Sequence, residues 1–215
     1  VPTLSLITDT TAGCWDLYLF EQVPDSNTST HTSLICGSLF PVDTSKDRPL
    51  LSFDLALLPS GSTLVSAILA LQVSIPWLIG GDGGNVYRAT QLDGGFITEA
   101  ATWNTYDGMN SWAIPGGEWI TSPATPFTTV SSTPHTHTLD VTAQALAALA
   151  FVPSKRLWLL VKLDNEGVLN PGAWHSGNAA VEANRPTLTL TYTLPGRLPL
   201  IAAMRHRRHP PFDHE

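Results

Sequence analysis

Charged side chains are scarce in this chain of 215 residues: Asp, Glu, Lys and Arg make up 13% of it, about half the ~25% of an ordinary soluble domain. A surface so poor in charge has to be covered by neutral polar groups, and Ser and Thr supply them in runs such as Ser26 to Ser33 and Thr128 to Thr138. The scarcity also argues against a helical body, because helical surfaces carry Glu, Lys and Ala, whereas Thr suits a pleated, half-buried sheet. Basic residues are fewer than acidic ones, and the net charge of −7 excludes the broad basic face with which nucleic-acid-binding domains displace counterions from phosphates. No direct nucleic-acid contact is expected. No apolar run reaches the ~18 residues of a membrane-spanning helix, and the most apolar stretch, Leu50 to Trp77, is interrupted by Asp54, Pro59, Ser60 and Gly61. A soluble chain without membrane contact is the expectation. Val1 opens no signal-peptide pattern, which implies synthesis without a leader or its earlier removal. Cysteine is nearly absent too. Cys14 and Cys36 are either a disulfide, which needs oxidising surroundings and Cα atoms within ~7 Å, or two small buried thiols.

Catalytic signatures are missing as well. There is no G-x-S-x-G, H-E-x-x-H, P-loop or dinucleotide fingerprint. Asp82, Asp93, Glu99 and Asp107 lie in loops where a hydrolase could pair two carboxylates. Loop acids more often sit in water or hold Asx turns, so a protein without enzyme activity is expected. His135 and His137 alternate on one face of an expected strand, yet no further ligands stand at metal spacing, so no metal site is assigned. Calcium has a milder claim through the oxygen-bearing groups Asp82, Asn85 and Asp164, Asn165, Glu166, but no cofactor is assigned.

What the chain does have is a large apolar share, 43%, enough for one core at a length that β-sandwiches reach as a single unit. Short β-prone runs separated by Gly, Pro, Asn, Asp and Ser clusters recur throughout, which is the pattern of a sandwich or barrel. The expected strands are Leu4 to Ile7, Asp16 to Phe20, Ser33 to Ser38, Leu50 to Leu55, Thr63 to Ile75, Asn85 to Leu92, Thr136 to Val141, Arg156 to Leu163, Ala173 to Ser176 and Thr187 to Thr193. In the longest, the set Val65, Ala67, Leu69, Leu71, Val73 and Ile75 is wholly apolar and the opposite set mixed, as in a strand with one face on the core. Thr142 to Phe151, rich in Ala and Leu and followed by Pro153, is the one expected helix. Two loops stand out: Gly-rich Pro76 to Gly84, and Asp93 to Pro126, which carries Trp103, Trp112 and Trp119. With Tyr106, these rings are either a sugar-stacking platform or packing at the sandwich edge. Trp15, Trp77, Trp158 and Trp174, in or beside strands, are expected in the core.

Several phrases, in order, are similar to the DNRLRE-type domains, β-jelly rolls that overlap with alginate-binding carbohydrate modules. "RPLLSFDLALLPSGSTLVSAILALQVS" carries the most specific part through Arg48, Leu51, Phe53, Asp54, Leu58, Pro59, Gly61, Ser66, Ala67 and Leu69. The opening "TDTTAGCWDLYLFEQVPDSNTSTHTSLICG", the Thr-Trp-Asn loop of "VYRATQLDGGFITEAATWNTYDG", the phrase "HTLDVTAQALAAL" and the last strand "RPTLTLTY" extend it over most of the chain. One departure is the spacing of Ser176 and Glu182 in "WHSGNAAVEANRP", where the family often has a Ser-Ser-Glu cluster. The resemblance implies an all-β fold, a two-sheet antiparallel jelly-roll sandwich with one short helix. In the signature itself Pro59 would fix a turn, Gly61 a positive φ, and Asp54 would cap backbone amides.

After the expected domain of residues 1–195, a C-terminal arm, 196–215, mixes apolar Leu198, Leu200, Ile201, Met204 and Phe212 with Arg205, Arg207 and Arg208. Residues 197–215 balance at +2, which leaves −9 for the first 196. Such a segment is either a disordered terminus or an arm that docks on a neighbouring subunit with its arginines on acidic surface. DNRLRE-like chains with this Thr-Trp-Asn-x-Tyr-Asp-Gly loop resemble proteins encoded by tailed bacteriophages. The resemblance therefore implies a virion component made in the host cytoplasm, a capsid decoration, neck or tail-associated subunit that docks on other virion proteins and on copies of itself. The alternative is a secreted or cell-surface carbohydrate-binding or adhesion domain.

Overall fold

A computed structural model describes residues 1–38, 45–90, 96–151 and 154–195. Eleven strands appear in chain order. They are β1 (Thr3–Ile7), β2 (Trp15–Phe20), β3 (Ser33–Cys36), β4 (Asp47–Asp54), β5 (Thr63–Ile75), β6 (Gly83–Thr90), β7 (Glu118–Thr128), β8 (Thr136–Asp140), β9 (Arg156–Leu163), β10 (Gly172–His175) and β11 (Thr187–Thr193), with one helix, α1 (Thr142–Ala150), between β8 and β9. All pairings are antiparallel. One sheet has the order β1-β11-β5-β10-β3 with β8 also on β5, and the second runs β2-β4-β9-β6-β7. The chain is thus the two-sheet antiparallel sandwich with one short helix that its strand pattern predicts.

Alternation builds the core. Leu188 and Leu190 of β11, Ala67, Leu69 and Leu71 of β5, and Leu51 and Phe53 of β4 meet Leu157, Leu159 and Val161 of β9 in one buried cluster drawn from both sheets. The periodicity of β5 breaks at its start. Thr191 pairs with Ser66 but Tyr192 with Leu64, so Val65 is the extra residue of a bulge. The bulge turns Leu64 inward and leaves Val65 53% exposed, against the face assignment that strict period two predicts. Ile75, on the same expected apolar face, is likewise exposed at the strand's far end.

The signature between β4 and β5 behaves as its chemistry requires. Asp54 Oδ1 accepts from the Ala56 amide at 3.0 Å and starts a 3-10 turn, Leu55–Leu57. The Ser62 amide donates to Pro59 O at 3.0 Å, and Gly61 takes φ +75°. Helix α1 sets Ala145 and Ala148 into the core, while Gln144 donates to Thr125 Oγ1.

His137 and His135 do not form a metal face. His137 is buried, with Nε2 donating to Thr128 O at 2.8 Å and Nδ1 accepting from Trp174 Nε1 at 3.0 Å. Both ring nitrogens are committed, which fixes one neutral tautomer. Burial holds its pKa below the usual imidazole value, opposed by the Thr128 carbonyl. The ring packs edge-on to Trp77, Phe127 and Trp174. Cys14 and Cys36 are unbridged and buried, and burial pushes both thiols up.

The largest departure from the sequence reading is β7, most of whose eleven residues fall in the segment Asp93 to Pro126 expected to be a loop. It pairs along β6 with a register shift opposite Tyr87 and Arg88. Pro123 and Pro126 disguise it, and both are tolerated because β7 ends its sheet.

Candidate functional site

The segment before β7 does not stand away from the body. Ile97, Ala101, Trp103 and Trp112 pack with Trp15, Leu17 and Leu19 of β2, Leu50 of β4, Ala89 of β6, and Trp158 and Leu160 of β9 as a second buried cluster. These strand residues alternate with those of the main core, so the cluster covers the outer face of the second sheet. Hydrogen bonds complete it: Trp112 Nε1 donates to Thr102 O at 2.9 Å, and Asn104 Nδ2 to Asp25 Oδ1 at 2.8 Å.

Of the two readings the sequence left open for these rings, Trp103 and Trp112 follow packing at the sandwich edge. Trp103 is 6% and Trp112 3% exposed, so neither ring offers a face on which a sugar could stack. Tyr106 is half-buried with its ring 5.8 Å from that of Trp112. Trp119, on β7, is the tryptophan of the set that stays partly open. It lies 5.9 Å from the Tyr87 ring and 5.3 Å from Lys162 Nζ. Beside it Thr90, Ile114, Glu118, Trp119 and Thr121 line a depression of about 230 Å³.

Arg48 joins the two parts. Its guanidinium carbon is 5.0 Å from the Trp103 ring centre and 5.2 Å from that of Trp119. Nε and Nη2 donate to the two carboxylate oxygens of Glu166 at 2.8 Å each, and Nη1 donates to Gly116 O at 2.9 Å. A planar cation that stacks on rings and forks onto a carboxylate suits this place in a way Lys would not. Lys162 Nζ adds a looser contact to Glu166 at 3.5 Å.

The oxygen groups considered for calcium are spoken for. Asp82 Oδ2 accepts from Asn170 Nδ2, Asp164 Oδ1 from Asn85 Nδ2, Asn165 Oδ1 from the Gly167 amide, and Glu166 from Arg48. They tie loops together with amide and guanidinium donors. Asp107 accepts from the Met109 and Asn110 amides and from Asn110 Nδ2, an Asx turn whose bonds hold its carboxyl below the usual range. Glu99 is exposed, and Asp93 lies outside the described residues. Among the described residues no group of three or more His, Cys, Asp and Glu side chains converges as a metal site, and no helix is long and apolar enough to cross a membrane. Leu198, Leu200, Ile201, Met204, Arg205, Arg207, Arg208 and Phe212 of the arm also lie outside the described residues.

Three carboxyls missed in the sequence reading are strongly perturbed. Asp47, 0% exposed, is raised to about 8, mainly by burial and then by Glu21. Asp16, 1% exposed, is raised to about 7 by burial, with the Thr8 hydroxyl and the Gly177 amide opposing and Asp9 and Glu99 adding. Asp9, although its surface stays open to solvent, rises to about 6 through the same kind of desolvation, with Glu99 adding and Arg185 opposing. Among the described residues both oxygens of Asp47 are buried without a hydrogen-bond partner.

No protein-family model matches the chain, and a search of curated proteins gave no match.

Proposed function

We propose that this chain is a non-catalytic, DNRLRE-like virion subunit of a tailed bacteriophage, a capsid decoration, neck or tail-associated protein, which docks on other virion proteins and on copies of itself through residues 196–215. The observation that carries the reading is the separation of charge between a −9 body and a +2 arm rich in apolar residues. The strand that precedes the arm adds support. β11 is paired on one side with β1 and on the other with β5, so its ladder is already complete within the chain. Leu194, just beyond it, is 59% exposed. Guanidinium groups beside Leu, Ile and Phe side chains suit a partner that offers carboxylates around an apolar patch. Deleting residues 197–215 should turn an oligomeric protein into a monomer in sedimentation analysis, with β-type circular dichroism and melting unchanged. Truncated protein that assembles like the full chain would sink the reading.

A second reading, glycan binding, is favoured by Trp119, whose partly open ring has Tyr87 on one flank and Lys162 on another. An aromatic pair beside a cation suits an acidic sugar. On a polysaccharide array Trp119→Ala and Tyr87→Ala should each weaken binding roughly tenfold. Silence of the unmodified protein towards acidic and neutral glycans alike would remove this reading and leave the first in place.

A further inference from the structure

Pro76 stops β5, and Gly81, at φ +91°, lets the chain turn back into β6. A surface turn of this kind normally carries polar side chains. This one carries Leu78 and Ile79, and its backbone is tied down from several sides. The Trp77 amide donates to Val130 O at 2.9 Å and the Gly81 amide to Thr129 O at 2.8 Å. Both backbone groups of Ile79 are taken, the amide by Asn170 Oδ1 at 2.8 Å and the carbonyl by Thr129 Oγ1 at 2.8 Å and Asn170 Nδ2 at 3.1 Å. Trp77 anchors the turn in the core, its ring 4.8 Å from that of Trp174. Yet Leu78 and Ile79 are 64% and 51% exposed, and so are Ile75, at the end of β5, and Val168, in the loop that carries Asn170. A fixed backbone that turns apolar side chains outward is a contact surface formed in advance of its partner.

Carboxylates border this tip. Asp82 Oδ2 accepts from Asn170 Nδ2 at 2.6 Å, and the Asp164 amide donates to Gly83 O at 3.0 Å, which sets both acids beside the turn. Neither is in an ion pair among the described residues, and Lys162 Nζ lies instead on Glu166 and the Trp119 ring. Apolar side chains edged by carboxylates without counter-ions match a segment that mixes Leu, Ile and Met with guanidinium groups, as residues 198–208 do. The reach of the chain decides whose segment it is. Thr193 pairs with Thr63 at the start of β5, and a side-chain carbon on residue 61 would touch Pro195, so the arm leaves at the end of β5 opposite to the tip. The 13 residues of β5 put about 40 Å between the two ends at ~3.3 Å per residue. Met204 stands nine residues past Pro195, which allows at most about 32 Å of fully extended chain. Leu198, Leu200, Ile201 and Met204 therefore cannot cover the tip of their own chain.

We propose that residues 198–208 of one copy dock on the Leu78–Ile79 tip of another, with Leu198, Leu200, Ile201 and Met204 on its apolar side chains and Arg205, Arg207 and Arg208 facing Asp82 and Asp164. This rests on the reading of residues 196–215 as a docking arm, and it names the surface of a second copy that receives the arm. The apolar contact supplies most of the affinity, because ion pairs at an exposed rim add little. The charges steer the approach and make it weaken as salt rises. Arm and tip lie at opposite ends of one body, so each copy can give an arm and receive one at once. A chain that has lost either end can do only one of the two.

Sedimentation of full-length variants tests this. Leu78→Asp combined with Ile79→Asp should weaken association by roughly tenfold or more, with circular dichroism unchanged because both side chains already face water. Should that pair fail to fold, Leu78→Ser carries the test with the same direction of loss. Mixing then assigns the two ends. The double variant keeps its arm and the chain lacking residues 197–215 keeps its tip, so the two, each monomeric alone, should form a one-to-one complex that grows no further. A tip variant that assembles like the unmodified chain while the shortened chain does not, or a mixture that stays monomeric, would overturn the tip as acceptor and leave the arm's role standing. A shortened chain that still assembles would remove the docking reading and this inference with it.

Discussion

Arg48→Met should lower stability by about 3–5 kcal/mol, the cost of leaving a buried carboxylate without its bidentate partner, with only the looser Lys162 contact at 3.5 Å remaining. Glu166 is the carboxylate concerned, with side chains 8% and 9% exposed for Arg48 and Glu166. The substitution also removes the plane against which Trp103 and Trp119 pack. Methionine keeps much of the stem's apolar contact, so the loss reports the guanidinium. For a chain of this size the fall corresponds to about 10 °C or more in melting temperature. Combining it with Glu166→Leu should recover more than half of the loss, because the stranded charge is then gone. Urea melts of both single variants and the double variant form the cycle that decides. Strictly additive losses would mean that the pair is not coupled.

The second large effect is a pH dependence centred on Asp47. Its folded pKa, about 8, lies above the ordinary aspartate value of 3.8, so the folded protein holds a proton that the unfolded chain releases. The stability contributed by this neutral form is complete below pH 4 and is lost as pH rises through 8. The unmodified protein should therefore lose on the order of 3–5 kcal/mol between pH 4 and pH 8 from this group. Asp47→Asn, which cannot ionise, should flatten that part of the curve and be the more stable protein at pH 8. Asp9 and Asp16 add slopes of the same sign, so the variant's curve flattens only in part. Urea melts from pH 4.5 to 8 in chelator settle it: parallel curves for the two proteins would assign the slope elsewhere.

Most of the fold is legible in the sequence because period two and turn residues coincide. Thr63–Ile75, Arg156–Leu163 and Thr187–Thr193 match their expected bounds, since each is a long β-prone run between breakers. Four things are not legible. β7 reads as loop because proline is a poor strand residue everywhere except at an edge. Asp16 reads as surface because Trp15, Leu17 and Leu19 fill the alternating positions. Both faces of β2 are in fact covered, one by the segment 96–117 and the other, that of Asp16 and Tyr18, by Gly177, Thr28 and His31. Trp103 and Trp112 read as platform or packing, and for Trp103 the outcome involves a long-range partner, Arg48, whose role no local pattern announces. Asp47 is hidden likewise by Lys46 and Arg48, charged neighbours that suggest solvent.

The prolines of β7 bear on how copies of this protein can meet. An open sheet edge is a template on which another chain's strand can grow, and growth of that kind leads to fibres. Here the edge formed by β7 contains Pro123 and Pro126, which bring no amide donor to the ladder, its pairing with β6 is irregular opposite Tyr87 and Arg88, and Thr128 O is already taken by His137. Strand-by-strand accretion along this side is interrupted, so crowded copies would be kept to contacts made by side chains.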